Sequence, residues 1–319
     1  MRIFLTGITG NLGSEVYQSL IRGGHDIIAI IRARDEDETR SRLGMLLDDI
    51  SEKTKFILYD LENPSNVKFP SADYLIHCAG TVHFRDAGVR NSRMTAVALD
   101  IATRFDIPIL HVSTAFLDKP NGSGFRNEYE KDKARAEEIV TQSSVPWAII
   151  RPSILTGNSK TGKMLQFSGY YLVIQAFLKA IEQAGGRSIE FPMLRGTTNI
   201  IPVNWVAGAI VALCEKRKTG VFYATNPSPP DSQELISESL DILGMSDRVH
   251  FQDISFEEYS NSRLSELDER LFNFLKHFQS YWTGRQVFPI SPELTIPSEP
   301  LGHNYIEKIL RYTVGRRWR

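Results

Sequence analysis

The segment NEYEKDKARAEE, residues 127–138, sets Tyr129 and Lys133 four residues apart in a run of helix-forming residues. On a helix that spacing brings both side chains to one face. A phenol beside an ammonium can exchange a proton, because the cation favours the phenolate over a free tyrosine's pKa of ~10. The same spacing also fits a solvated surface pair, so the reading depends on what surrounds it. A second candidate is LTGITGNLG, which places Gly7, Gly10 and Gly13 between an apolar run and an amphipathic one. Glycines there give a tight turn, close approach of backbone to a pyrophosphate, and a helix start whose N–H groups face the phosphates. A third is AIIRARDEDETRSRL, where Arg32 stands in the place an NAD-preferring site fills with an acid. A guanidinium there suits a 2′-phosphate, with Arg34 and Arg42 close by, which points to NADP over NAD. Asp35, Glu36 and Glu38 offer these arginines a competing set of partners.

The elements that must carry these groups alternate. RIFLTG, DIIAIIR, KFILYDL, ADYLIHCAG, PILHVST and PWAIIRP are apolar enough to be strands covered on both faces. NLGSEVYQSLIRGG puts Leu12, Val16 and Leu20 on one helical face and stops at Gly23 and Gly24. Residues 35–50, RMTAVALDIATRFD and EYEKDKARAEEIVTQS are the other expected helices. Strand and helix in turn predict an α/β fold, a Rossmann-like doubly wound parallel sheet.

Composition removes several alternatives. Lys plus Arg total 37 and Asp plus Glu 38, so no net field draws nucleic acid. The two cysteines, Cys78 and Cys214, are far apart and support neither a zinc framework nor a disulfide scaffold, which favours a reduced, cytoplasmic setting. No metal site is expected. MRIFLTG runs directly into a strand without a secretory pattern, and no apolar stretch reaches the ~20 residues of a membrane span. His77 follows a buried strand and fits a structural role better than acid–base work. His83, in GTVHF, is open between a substrate mouth and an ordinary loop.

Taken in order, these motifs resemble the extended short-chain dehydrogenase/reductase family from residue 3 to about residue 225. TGITGNLG matches its glycine turn, Asp60–Leu61 its pair near the adenine, and DYLIHCAG the strand that lies along the cofactor. NSRMT keeps Asn91 and Thr95 of its helix motif but has Met94 where glycine is usual. HVSTAFL, Tyr129 with Lys133, RPSILTG and IPVNWVAGAIV match in turn, with Asn204 where Asp is commoner. Within the family the chain is most similar to the thioester-reductase (male-sterility) branch, through IIRARDEDETRSRL, HVSTAFL and GNSKTGKM. No adenylation or carrier module of that branch is expected within these 319 residues.

The resemblance implies NADP (NADPH) as cofactor and assigns roles. Tyr129 is the general acid, Lys133 supplies charge and reaches the nicotinamide ribose, and Thr114 bonds the substrate oxygen. Ser113 is the rival for that last role; strand alternation sends the two side chains to opposite faces, and the family pattern favours Thr114. Gly7, Thr9, Gly10, Asn11, Leu12, Gly13, Arg32, Arg42, Asp60, Leu61, Cys78, Ala79, Gly80, Pro152 and Ile154 are the implied cofactor contacts, together with Tyr129 and Lys133. The expected division is a dinucleotide-binding domain over 1–157 plus about 200–225, and a smaller, mostly helical substrate lobe over about 158–199 and 226–319. That second part is rich in aromatics: Phe167, Tyr170, Tyr171, Phe272, Phe274, Phe278, Tyr281 and Trp282 either line an apolar pocket or form the lobe's core. The implied substrate is a small molecule or a carrier- or CoA-linked acyl group, reduced at a carbonyl or thioester carbon. A ketoreductase or secondary-alcohol dehydrogenase acting on a free small molecule is the alternative, and a non-catalytic cofactor sensor a lesser one. A monomer and a homodimer are both compatible with the chain.

Overall fold

The computed structural model describes residues 1–44, 50–82, 88–118, 124–262, 264–284 and 286–315. His83, the end of the helix expected over 35–50 and the basic tail 316–319 lie outside them. The chain divides into two compact units. One is Met1–Ser153 with Ile201–Thr225 and Phe288–Ile296; the other is Ile154–Ile200 with Asn226–Val287 and Pro297–Arg319.

In the first unit β1 (Arg2–Thr6) leads into α1 (Asn11–Arg22), β2 (Asp26–Ile31), α2 (Glu36–Gly44), β3 (Thr54–Leu58) and β4 (Tyr74–His77). Then come α3 (Arg90–Arg104), β5 (Ile109–Val112), α4 (Glu128–Thr141), β6 (Trp147–Pro152), α5 (Val203–Glu215) and β7 (Gly220–Ala224). Among the described residues the seven strands form one sheet in the order β7-β6-β5-β4-β1-β2-β3, every pairing parallel. The expected doubly wound sheet is therefore present. Its order reverses at β1, where Thr6 stands level with Ile30 of β2 on one side and His77 of β4 on the other. A crevice opens beyond the strand ends at such a reversal. The strands can be apolar throughout because helices cover both faces: Ile3, Phe4, Leu5, Ile27 and Ala29 are wholly buried. Helix α1 packs on α5 and α3 on α4. Leu12, Val16 and Leu20 make the buried face of α1, and the N–H of Gly23 closes its end on Ser19.

Helix α4 departs from its sequence pattern. EYEKDKARAEEIVT reads as a wet, charged helix, yet Glu130 and Asp132 are fully buried, and Lys133 and Glu137 nearly so. Each burial is matched by a partner, as buried charge requires. Asn127 caps the helix by accepting from the N–H of Glu130. The Glu130 carboxylate reaches back to the N–H of Arg126 at 2.9 Å and to its guanidinium at 3.0 Å.

The second unit is mostly helical. An apolar helix runs from Tyr170 to Gln183; it starts there because Gly169 adopts φ +55°, outside helical space. Ile189–Pro192 pairs in parallel with Val249–Gln252, a strand the sequence pattern does not announce. Phe191, from this pair, stands against Phe177, Phe256 and Tyr259. Tyr170 and Tyr171 are wholly buried; their hydroxyls meet Ser239 Oγ at 2.7 Å and the N–H of Gly157 at 2.8 Å, so they are core with satisfied polar tips. Phe278 and Trp282 line a small apolar cavity with Phe177, Phe191 and Leu275. No helix among the described residues is long and apolar enough to cross a membrane.

Candidate active site

The three glycines meet at one point. Gly7 has φ +75°, and a Cβ there would lie 2.5 Å from the Ala79 nitrogen and 2.6 Å from the Cys78 carbonyl carbon. A Cβ on Gly13 would lie 2.0 Å from the Gly7 oxygen, which also accepts from the N–H of Gly10 at 2.9 Å. Only glycine fits at positions 7 and 13. Gly10 starts α1 without a side-chain cap, and no acid stands in the first turn. The turn is thus a backbone cradle at the positive end of a helix, flanked by half-buried Thr9 and Asn11 and seated on buried Leu12. That arrangement fits a dinucleotide pyrophosphate.

A chain of hydrogen bonds fixes the floor of this crevice. Thr6 Oγ1 accepts from the N–H of Ala79 at 3.1 Å and meets His77 Nδ1 at 2.8 Å. Thr95 Oγ1 donates to the Asn91 carbonyl at 2.8 Å and meets His77 Nε2 at 3.3 Å. Thr95 has only one proton to give, so His77 donates through Nε2 and accepts through Nδ1 from Thr6. Burial, with Lys133 nearby, holds its pKa down at about 3, so it stays neutral and joins β1, β4 and α3. Cys78 keeps its proton, because burial pushes its thiol up to about 12. Gly80 leaves just enough room for Asn91, whose Oδ1 would lie 3.0 Å from an added Cβ and accepts from the N–H of Thr81 at 2.8 Å.

Beyond β2 the arginines gather. Arg32 Nη1 donates to Glu62 Oε2 at 2.7 Å, and Arg42 Nη1 to the Arg32 carbonyl at 2.7 Å. Arg34 is committed to Glu38 through both its N–H and its Nε. Asp60 accepts from the N–H of Glu62 at 2.9 Å and from Asn63 Nδ2 at 3.1 Å, while Leu61 is buried in the core.

At the end of β5 the Thr114 hydroxyl accepts from the N–H of Phe116 at 3.4 Å and acts on the Tyr129 phenol, favouring its ionised form. Ser113 Oγ is buried and, among the described residues, without a hydrogen-bond partner. Lys133 Nζ donates to the Val112 carbonyl at 2.6 Å and lies 3.5 Å from His111 Nε2. It also acts electrostatically on His77 and Cys78, so the α4 groups adjoin the glycine crevice. Burial raises Tyr129 to about 12, with Thr114 acting the other way, while the ammonium is turned to Val112. Burial lowers Lys133 to about 8, opposed by Glu137 and Asp132. Lys131 pairs with Glu128 at 3.6 Å on the outer face.

Two supporting groups escaped the sequence reading. Asp132 accepts from the N–H of Asn91 at 2.7 Å, the N–H of Ser92 at 3.2 Å and Ser92 Oγ at 2.6 Å, so α4 caps α3. Glu137 takes Arg151 of β6 fork to fork at 2.9 and 2.5 Å. The one available signal was Glu137 standing a further turn along the Tyr129–Lys133 face. Pro152 ends β6. Ile154 belongs to the second unit, where its N–H donates to the Asn199 carbonyl at 3.1 Å.

Comparison with known proteins bears on this constellation. A family model for the NAD-binding domain described as male sterility protein matches residues 5–210. The terminal R domain from the myxalamid PKS-NRPS biosynthetic pathway shares 20% identity over 100% of this chain and 91% of that one, with a TM-score of 0.74. A thiolation-reductase di-domain from an archaeal non-ribosomal peptide synthetase shares 17% identity over 99% and 76%, with a TM-score of 0.71. UDP-N-acetylglucosamine 4-epimerase from Methanobrevibacter ruminantium M1 shares 17% over 99% and 98%, with a TM-score of 0.68. At these identities the likeness is one of fold. A search of curated protein sequences returns no match.

Proposed function

Because the chain belongs to the male sterility protein family, the thioester-reductase branch of the extended short-chain dehydrogenase/reductases that binds a nicotinamide dinucleotide, we propose that it is an NADPH-dependent reductase. Its substrate is a carbonyl compound or acyl thioester on an apolar chain, free or linked to a carrier protein or coenzyme A. The observation that carries this reading is that buried Thr114, Tyr129 and Lys133, the last two one helical turn apart on α4, lie together at the end of β5 beside the glycine crevice.

The glycine turn at Gly7, Gly10 and Gly13 holds the pyrophosphate, Asp60 and Leu61 the adenine end, and Arg32 with Arg42 the 2′-phosphate. Cys78, Ala79, Gly80 and Pro152 are proposed to lie along the dinucleotide, and the second unit to form the substrate lobe. The bound nicotinamide supplies hydride. Thr114 and Tyr129 hold the substrate oxygen, and Tyr129 passes it a proton. The buried phenol keeps its proton at neutral pH, so it has one to give. Lys133, freed from the Val112 carbonyl, then steadies the phenolate. With a thioester, the same donor supports collapse of the hemithioacetal to aldehyde and thiol. The likeness to reductase domains of peptide synthetases supports a thioester substrate. The test is NADPH consumption with acyl thioesters, aldehydes and ketones. Thioester or aldehyde turnover is expected, and turnover of ketones alone would replace this reading with a ketoreductase.

A further inference from the structure

Where β2 ends and α3 begins, one carboxylate holds two arginines. Glu62 Oε2 accepts from Arg32 Nη1 at 2.7 Å and from Arg90 Nη2 at 2.8 Å, and Oε1 accepts from Arg90 Nε at 2.6 Å. Arg93 adds a bond of 3.4 Å to the Glu62 carbonyl. The two arginines are not equivalent. Arg90 meets the carboxylate fork to fork, the geometry that binds and neutralises it best. Arg32 spends one nitrogen on it, and a guanidinium has five N–H donors. The Arg32 side chain is 61% exposed, while Glu62 beneath it is 19% exposed. Glu62 is therefore an acid lying within reach of the group proposed to read the 2′-phosphate, and Arg90 is what cancels its charge.

We infer that Arg90 is a specificity-determining residue: by neutralising Glu62 it leaves Arg32 available to a 2′-phosphate. This rests on the reading of Arg32 given above. Without Arg90, Glu62 faces the phosphate as a like charge, and it takes Arg32 for itself as sole partner. A carboxylate at the 2′ position accepts from a ribose hydroxyl, as the acid of NAD sites does from another place in the fold. Loss of Arg90 thus penalises NADPH and spares NADH. Removing Glu62 as well removes the need for Arg90.

The experiment measures dissociation constants of NADPH and NADH, by quenching of protein fluorescence, for the full chain and four variants. R90M is expected to weaken NADPH by at least about tenfold relative to NADH, a like charge a few ångströms from a phosphate in a half-exposed site. E62Q alone leaves NADPH binding equal or tighter, and the double variant E62Q/R90M returns to within about threefold of the parent chain. Thermal melting without ligand accompanies each, and if R90M does not fold it is replaced by R90Q, which also removes the charge but keeps a hydrogen-bonding side chain. R90M weakening both dinucleotides equally, a double variant no better than R90M, or weaker NADPH binding in E62Q would each overturn the inference. R32A separates the two levels. If it leaves the NADPH preference intact, the reading of Arg32 fails; if it abolishes the preference while R90M does nothing, only the role of Arg90 fails.

Discussion

Replacing Asp132 by Asn tests how α4 holds the start of α3. The wild-type carboxylate is fully buried and takes three donors: two N–H groups in the first turn of α3 and the Ser92 hydroxyl, at 2.7, 3.2 and 2.6 Å. Asparagine keeps one acceptor oxygen and turns an NH₂ toward a donor. At least one helix N–H is then left unsatisfied in the interior, which costs ~1–3 kcal/mol, and the remaining bonds lose charge assistance. The favourable meeting of a negative charge with the helix start is lost too, for about 1 kcal/mol more. The expected loss is about 3 kcal/mol in equilibrium urea unfolding, read from the midpoint at unchanged slope. Ser92→Ala removes the hydroxyl that faces Asp132 and the Val89 carbonyl but keeps both helix N–H bonds, and is expected to lose about 1 kcal/mol. A second readout follows from Asn91, whose side chain holds Thr81 through its N–H and its carbonyl, next to Gly80. Loosening the start of α3 therefore weakens NADPH binding as well as stability. An Asp132→Asn chain within about 1 kcal/mol of the parent, or no worse than Ser92→Ala, would refute the capping role.

Two further outcomes follow from the site. Burial lowers Lys133 from 10.5 to about 8, so between those values the unfolded chain binds more protons and folding stability rises with pH. The stability difference between wild type and Lys133→Met should therefore shift in favour of wild type by up to about 3 kcal/mol across that window, and a flat difference would count against it. Gly7→Ala puts a Cβ 2.5 Å from the Ala79 nitrogen at φ +75°; it should lose at least ~2 kcal/mol of stability and all measurable NADPH binding, by the same unfolding and quenching assays.

Much of the fold was legible because it is written in local pattern. Apolar runs such as DIIAII and stops such as Gly23 depend on near neighbours only. The glycine turn was legible for the same reason, since its spacing sits between one strand and one helix. What escaped depends on partners distant in sequence. Asp132 sits between two lysines and looks solvated, until the fold brings Asn91 and Ser92 to it. Glu62 looks like a loop acid until Arg32 and Arg90 close on it. The spacing of Tyr129 and Lys133 was legible, but spacing does not report that Lys133 bonds Val112 while burial acts on the phenol. The strand Val249–Gln252 has too short a pattern to stand out before Ile189–Pro192 pairs with it.

The most direct test of the account is NADPH consumption by Tyr129→Phe beside wild type, on the acyl thioester or aldehyde the wild-type chain turns over fastest, with NADPH affinity measured on the same samples. The phenylalanine chain should bind NADPH within about threefold of wild type and turn over at least ~100-fold more slowly, since only the proton donor has gone. Turnover equal to wild type would contradict the assignment of Tyr129 as the acid that completes the reduction.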